Sequence, residues 1–169
     1  LGMLALGILV SHLTGLTRSL DTSLADLRFE AARRPATGNI VLVDIDAKSL
    51  AEVGVWPWPR RLHGDLIRAA SVAGAARIAF DIDFSSASRP EEDAALADAL
   101  ANAGIETFLA AFVQPATAGS GNPEPSVPIP PLLDASWPAS INVPVDDDGR
   151  VRRFPWSIRI DGETVSSLP

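Results

Sequence analysis

Two short apolar runs, each closed by an Asp-x-Asp pair, constrain the fold of this chain more than any other feature. They are residues 40–50 (IVLVDIDAKSL) and residues 77–86 (RIAFDIDFSS). Because side chains two residues apart share one face of a β-strand, the two aspartates of each pair are predicted to point the same way. Neighbouring parallel strands would gather four carboxylates at the C-terminal edge of a sheet, where open α/β sheets bind ligands. The four residues are Asp44, Asp46, Asp81 and Asp83.

Carboxylates held this close together must share protons, pair with arginines or bind a cation. Two interpretations stay open. In the first, an arginine forms bidentate hydrogen bonds with Asp46 and Asp81 and locks a loop onto the sheet. The candidate arginines are Arg60, Arg152 and Arg153. In the second, the four carboxylates form a metal site for a hard cation such as calcium or magnesium.

Helical spacing alternates with the apolar runs, which predicts an α/β fold. Its central sheet is expected to be mainly parallel and flanked by helices, with antiparallel strands near the C-terminus. The predicted helices are residues 47–53, 61–73 and 90–103, the last capped by Ser88, and the predicted strands are residues 39–46, 76–84, 105–113, 140–144 and 151–160. Between the first two helices, prolines at 57 and 59 predict a rigid loop with Trp56 and Trp58 as partly buried plugs.

The N-terminal third has a different character. Residues 2–16 are nearly all apolar but shorter than the roughly 20 residues that span a bilayer, so we expect the end of a transmembrane segment, with a buried core helix or a signal-peptide remnant as the alternatives. Leucines at 16, 20, 24 and 27 then predict an amphipathic helix that ends at Arg34-Pro35. This helix either packs on its own domain or is a juxtamembrane helix that pairs with a second copy. The expected division is residues 1–34 and an α/β domain of residues 35–169, truncated at its C-terminus.

Composition excludes several classes of function. A net charge of -7, with Lys48 the one lysine, argues against nucleic-acid binding, which needs a basic surface. The absence of cysteine excludes disulfides, thiolate zinc sites and cysteine nucleophiles. Asp-x-Asp after a strand also occurs in magnesium-dependent phosphatases, but Lys48 lies two residues after Asp46 and is badly placed to neutralise a phosphoryl group. Arginines at 18, 28, 33 and 34, taken alone, favour a cytoplasmic location by the positive-inside rule.

Two further groups of residues have ordinary structural explanations. His63 follows the Trp-Pro loop and is expected to be a hydrogen-bonded structural histidine, with the carboxylate cluster as its alternative partner. Residues 146–149 (DDDG) resemble part of a calcium loop but lack its downstream glutamate and spacing, so a solvated turn is expected there.

Taken in order, several motifs resemble a CHASE-type sensor domain of the second class. They are Asp26-Leu-Arg-Phe29, IVLVDIDAKSL, GVWPWPR, His63, GAARIAFDIDFS, Pro90-Glu-Glu-Asp93, LADAL, Asn142, Asp148-Gly-Arg-Val-Arg-Arg153 and Ser166-Ser-Leu168. The resemblance covers about residues 20 to 169. The positions that it and the Asp-x-Asp pattern make candidates for a ligand-binding or signature cluster are Asp44, Asp46, Ser49, Trp56, Arg60, His63, Asp81, Asp83, Asp93, Asp148 and Arg152.

The resemblance implies a non-catalytic input domain of a bacterial membrane receptor. Such a domain is expected to lie in the periplasm or outside the cell and to be anchored in the inner membrane by its N-terminal segment. The parent protein would carry a cytoplasmic adenylate or diguanylate cyclase, a histidine kinase or a related enzyme. The implied partners are a second copy of the chain and an unidentified small ligand or periplasmic protein. The alternative is a structural or adhesion module that binds a cation through the Asp-x-Asp strand ends.

Overall fold

A computed structural model describes residues 16–114, 124–160 and 162–168, with side chains from residue 21 onward. The chain divides into two compact units, one ending at Asp44 and the other beginning at Ile45. The described part of the first unit contains helix α1 (Leu16–Ala31) and the irregular segment that follows it. Leu24, Leu27 and Phe29 on this helix are each more than half exposed.

The second unit alternates helices and strands. In chain order its elements are α2 (Ala47–Val53), α3 (Arg60–Val72), β1 (Arg77–Phe80), α4 (Pro90–Asn102), β2 (Glu106–Gln114), β3 (Glu124–Ser126), α5 (Pro130–Leu133), β4 (Trp137–Ser140), β5 (Ser157–Ile160) and β6 (Glu163–Ser166).

Strand β2 is the centre of the main sheet. It pairs in parallel with β1 and with β4, and its last residues pair antiparallel with β3. Strands β5 and β6 form a separate antiparallel hairpin, linked to the end of β4 by a bridge between Ser140 and Ser167. The predicted fold class is therefore confirmed: a parallel sheet flanked by helices, with antiparallel strands near the C-terminus. Its parallel crossover is β1–α4–β2, with the helix supplying the connection that parallel strands require.

Helices α3 and α4 pack on each other and form the core with the sheet. Ile67 of α3, Leu96 of α4 and Leu109 of β2 are fully buried there. Gly64 lets the helices approach closely, because a Cβ at this position would lie 3.0 Å from the Cβ of Ala99. A second, smaller cluster around Ala111, Ile160 and Val165 joins the hairpin to the sheet.

The prediction of a strand over residues 39–46 is wrong. This segment is irregular, and Ile40, Val41, Leu42 and Val43 are between 64% and 90% exposed. A strand needs a neighbour whose backbone supplies hydrogen bonds, and no described residue pairs with these four. Apolar content alone does not provide that partner. The crossover expected between residues 39–46 and 76–84 is therefore absent from the described residues.

Other elements differ from prediction mainly in length. β1 ends at Phe80, four residues early, so Asp81 and Asp83 follow the strand rather than belong to it. A strand is expected at 140–144, but β4 ends at Ser140. Of the expected strand 151–160, the last four residues form β5. Ser88 does not cap α4: Arg89 occupies the N-cap position, and the backbone N–H of Ser88 donates to the Asp93 carboxylate.

Residues 2–15 of the apolar N-terminal segment lie outside the described residues, so its expected membrane role is untested. Among the residues that the structure describes, no helix combines the length and apolar character needed to cross a bilayer. The division into residues 1–34 and 35–169 likewise stays a prediction.

Candidate functional site

The loop between α2 and α3 carries the two tryptophans of the Trp-Pro motif. Gly54, in the left-handed conformation at φ 75°, ends α2, and the Trp56–Pro57 peptide bond is cis. The ring of Trp56 meets that of Trp58 edge-on at 6.1 Å between centroids. Trp58 is half-buried and Trp56 is 54% exposed, so only Trp58 acts as the predicted plug. The loop therefore presents one indole to solvent and inserts the other.

On its inner side, Trp58 contacts a buried histidine, His63. Its ring stacks on that of His63 at 6.1 Å, with 27° between the planes. Phe80 and Phe84 meet His63 edge-on at 5.9 and 5.5 Å, and His63 is 4% exposed. Burial, with a smaller contribution from the nearby charge of Arg60, lowers the pKa of the His63 imidazole below its ordinary 6.5. We call Trp56, Trp58, Arg60, His63, Phe80 and Phe84 the Trp-His cluster.

Arg60, the first residue of α3, connects this cluster to α4. Its Nη1 donates to Asp93 Oδ1 at 2.6 Å, its Nη2 donates to the carbonyl of Ser86, and its guanidinium lies 5.5 Å from the centre of the Phe84 ring. The side chains of Arg60 and Asp93 are 8% and 13% exposed. One guanidinium thus ties together the start of α3, the loop after β1 and the first turn of α4.

The neighbouring residues Arg61 and Glu92 form a second connection between α3 and α4. The backbone N–H of Arg61 donates to Glu92 Oε2 at 2.9 Å, and the Arg61 guanidinium binds Glu92 Oε1. Pro59, the N-cap residue of α3, makes no side-chain cap hydrogen bond. The Glu92 carboxylate of α4 instead accepts from one of the free N–H groups at the start of α3. This backbone hydrogen bond is the main cause that lowers the pKa of the almost fully buried Glu92.

Two of the four Asp-x-Asp residues have local hydrogen-bond partners. Asp46 caps α2: its Oδ1 accepts hydrogen bonds from the backbone N–H and the hydroxyl of Ser49, both at 2.8 Å, and these bonds lower its pKa. Asp83 Oδ1 accepts from the backbone N–H of Ser85 at 2.8 Å, while Asp44 and Asp81 are exposed. Asp46 and Ser49, both candidate site residues, thus form a helix cap.

The described side chains form no metal-binding group at the two Asp-x-Asp pairs. Within residues 16–114, 124–160 and 162–168, no group of three or more acidic or histidine side chains is placed to hold a metal ion. Binding of calcium or magnesium by Asp44, Asp46, Asp81 and Asp83 therefore stays an untested prediction. The pairing of Arg60 with Asp46 or Asp81 is wrong, because Arg60 pairs with Asp93.

Arg152 and Arg153 also have partners other than those predicted. The nearly buried Arg152 forms a bidentate pair with Asp148, at 2.9 and 2.7 Å, and reaches Asp146 at 3.0 Å. Arg153 donates to the other Asp146 oxygen at 2.9 Å. The predicted turn is present, since the N–H of Gly149 donates to the carbonyl of Asp146 at 2.8 Å. This turn is a salt-bridged structural element.

Of the predicted site residues, the structure brings Trp56, Arg60, His63 and Asp93 together. Sequence reasoning missed Glu92 and Phe80. The available signal was helical spacing: residues 60, 63, 64 and 67 share one face of α3, and residues 92, 96 and 99 share one face of α4. A separate open groove of about 560 Å³ is lined by Phe154, Trp156, Ser166, Ser167 and Leu168, none of which was a candidate.

The buried Arg60–Asp93 pair predicts that two aspartates of α4 contribute unequally to the free energy of unfolding. Asp93→Ala leaves the Arg60 charge buried without its carboxylate and should lower the free energy of unfolding by about 3–5 kcal/mol. Asp98→Ala, on the same helix as Asp93, removes an exposed pair with Arg68 of α3 and should change the free energy of unfolding by at most about 1 kcal/mol. Urea denaturation of both variants tests this, and equal effects would contradict the assigned burial.

The Arg152–Asp148 pair predicts a specific acid titration. Hydrogen bonding to Arg152 lowers the pKa of Asp148 from 3.8 to about 2, so this carboxylate stabilises the fold above pH 3.8 and loses that contribution as the pH falls through 2. Arg152→Gln should move the pKa back towards 3.8. Carboxyl NMR titration measures this directly, with the exposed Arg159→Gln as the control that leaves Asp148 unchanged. A wild-type Asp148 that titrates near 3.8 would contradict the pair.

Comparison with known proteins identifies the family. The family model described as "CHASE2 domain" matches residues 3–169, which is nearly the whole chain. No curated protein and no solved structure gives a significant match.

CHASE2 domains are sensory, non-catalytic domains that lie outside the cytoplasm, in the extracellular or periplasmic space, as parts of membrane proteins. This finding overturns the cytoplasmic location that the arginines after the apolar segment favour when taken alone. With its match spanning residues 3–169, the chain belongs to the CHASE2 family of extracytoplasmic sensory domains.

Proposed function

We propose that this chain is the sensory input domain of a bacterial receptor and that the Trp-His cluster converts a signal into movement of α3 and α4. The observation that carries the proposal is the Arg60 contact set, because one nearly buried guanidinium couples the start of α3, which directly follows the Trp-Pro loop, to the loop after β1 and to α4. The exposed Trp56 is the outer end of that connection, and the signal is an unidentified small ligand or periplasmic protein that contacts it.

The chemistry of the cluster suits coupling better than catalysis. Aromatic rings enclose its histidine, and the carboxylates of Asp93 and Glu92 are each held by arginine hydrogen bonds. Groups engaged in this way are held in one geometry, which a contact at Trp56 can disturb. A displaced Arg60 would release its bonds to α4 and to Ser86 together, so a local event would change the packing of two helices.

The relay to the membrane is proposed to run through α1 as a pair of helices from two copies. Leu24 and Leu27 lie one turn apart and are both more than half exposed on the described part of this helix. Leucines at these spacings form the seam of paired helices. We further propose that the apolar residues 2–16 continue into the inner membrane and that the parent protein ends in a cyclase or a histidine kinase.

Leu24→Pro tests this relay. Proline in a helix interior costs about 3 kcal/mol and breaks the continuity of α1, so the output of a chimaera that joins this chain to a diguanylate cyclase should become insensitive to the input domain. Leu24→Met, which keeps both the helix and an apolar side chain at the proposed seam, is the matched control and should retain most of the output. Circular dichroism should show the Ile45–Pro169 unit still folded in both variants. An unchanged output from Leu24→Pro would contradict the relay.

A further inference from the structure

His63 is the buried titratable group at the centre of the Trp-His cluster. Rings from three places enclose its imidazole: Trp58 from the loop before α3, Phe80 from β1 and Phe84 from the segment after β1. Together they leave 4% of the residue exposed. His63 is thus the point where the Trp-Pro loop meets both the helix and the sheet.

The charged groups around His63 offer it no counter-ion. On its own helix the nearest charge in the cluster is the Arg60 cation, which disfavours a second positive charge. From α4, Asp93 is engaged by Arg60 and Glu92 by Arg61. After β1, Asp83 accepts the N–H of Ser85. None of the described residues forms an ion pair with His63, so a protonated imidazole would lie buried beside a cation.

We infer that His63 is a proton-responsive latch: its neutral imidazole holds the Trp-Pro loop against α3 and β1, and protonation releases the loop. Attraction between an imidazolium and the Trp58 face offsets part of the cost of burying the charge. Burial and Arg60 act in the other direction and lower the pKa of His63 overall. As a regulatory role for the loop, this inference rests on the proposed function of the cluster.

The sign of the pH dependence follows from the lowered pKa. Above 6.5, the ordinary value for histidine, the imidazole is neutral in the folded and unfolded chain, and the latch contributes its full stability. As the pH falls below 6.5, the unfolded chain takes up a proton that the folded chain does not, and stability is lost until the folded pKa is passed. Carboxylates with lowered pKa values act in a more acidic range, so the interval between pH 7.5 and 5 reports on histidine.

The test follows imidazole NMR signals and near-ultraviolet circular dichroism of the 169-residue chain between pH 7.5 and 5. With two histidines in the sequence, His12→Asn assigns the His63 signal and serves as the control that keeps the transition. We expect His63 to titrate below 6.5 and the tryptophan dichroism to change with the same midpoint. His63→Phe, which keeps an aromatic ring, should give a flat profile, and His63→Gln serves if that variant fails to fold.

Three results would overturn the latch: a His63 midpoint at or above 6.5, a titration without any change in the tryptophan signal, or the same transition in the His63 variants. The first two can be observed in the wild-type chain alone, even if no variant folds. None of these measurements uses receptor output. If His63 titrates as expected but Leu24→Pro leaves the output of the chimaera unchanged, the proposed relay alone is contradicted. If Leu24→Pro abolishes the response but His63 does not titrate as expected, the latch alone is contradicted.

Discussion

The nearly buried pair of Arg60 and Asp93 is the interaction on which the rest of the structure depends. Removing two charges from water costs several kcal/mol for each ion unless their geometry and other hydrogen bonds compensate. Here Arg60 also donates to the Ser86 carbonyl, and Asp93 also accepts the Ser88 N–H, so both ions have additional partners. The pair therefore holds the loop 85–89 between the starts of α3 and α4. Losing it would disturb all three at once.

Around this pair the polar and aromatic contacts act as one assembly. Glu92 supplies the cap that Pro59 does not provide, and His63 joins the Trp-Pro loop to Phe80 and Phe84. From Trp56 at the surface, direct ring contacts lead through Trp58 and His63 to Phe80 and Phe84, which belong to the hydrophobic core. An extracytoplasmic sensory domain needs such a route, because a signal at its surface must change packing inside it.

The sequence predicts well what depends on local spacing. Helices α3 and α4 and strand β2 follow from periodicity, and the turn at 146–149 follows from its aspartates and Gly149. The family is predicted by the order of the motifs along the chain, since no single motif identifies it. The candidate site is predictable in part: the resemblance points to Arg60, His63 and Asp93, but it does not reveal their contacts with one another.

The errors share a physical cause, since each concerns a partner that composition does not specify. Residues 39–46 have the composition of a buried strand, yet pairing depends on a neighbour that composition does not specify. The sequence suggests the most conspicuous aspartates as partners for the arginines, whereas Arg60 reaches a residue 33 positions away in the first turn of α4. The sequence around Asp46 suggests a carboxylate cluster. Its actual partner is local and simpler: the backbone N–H of Ser49, three residues later.

A double-mutant cycle between Arg60 and Asp93 tests the central claim most directly. The free energy of unfolding would be measured for Arg60→Ala, Asp93→Ala and the double variant. Because the double variant leaves neither charge buried alone, it should be about 1–3 kcal/mol more stable than the sum of the two single effects predicts. Additivity within about 0.5 kcal/mol would show that the two side chains act independently, and the Trp-His cluster would then lose its link to α4.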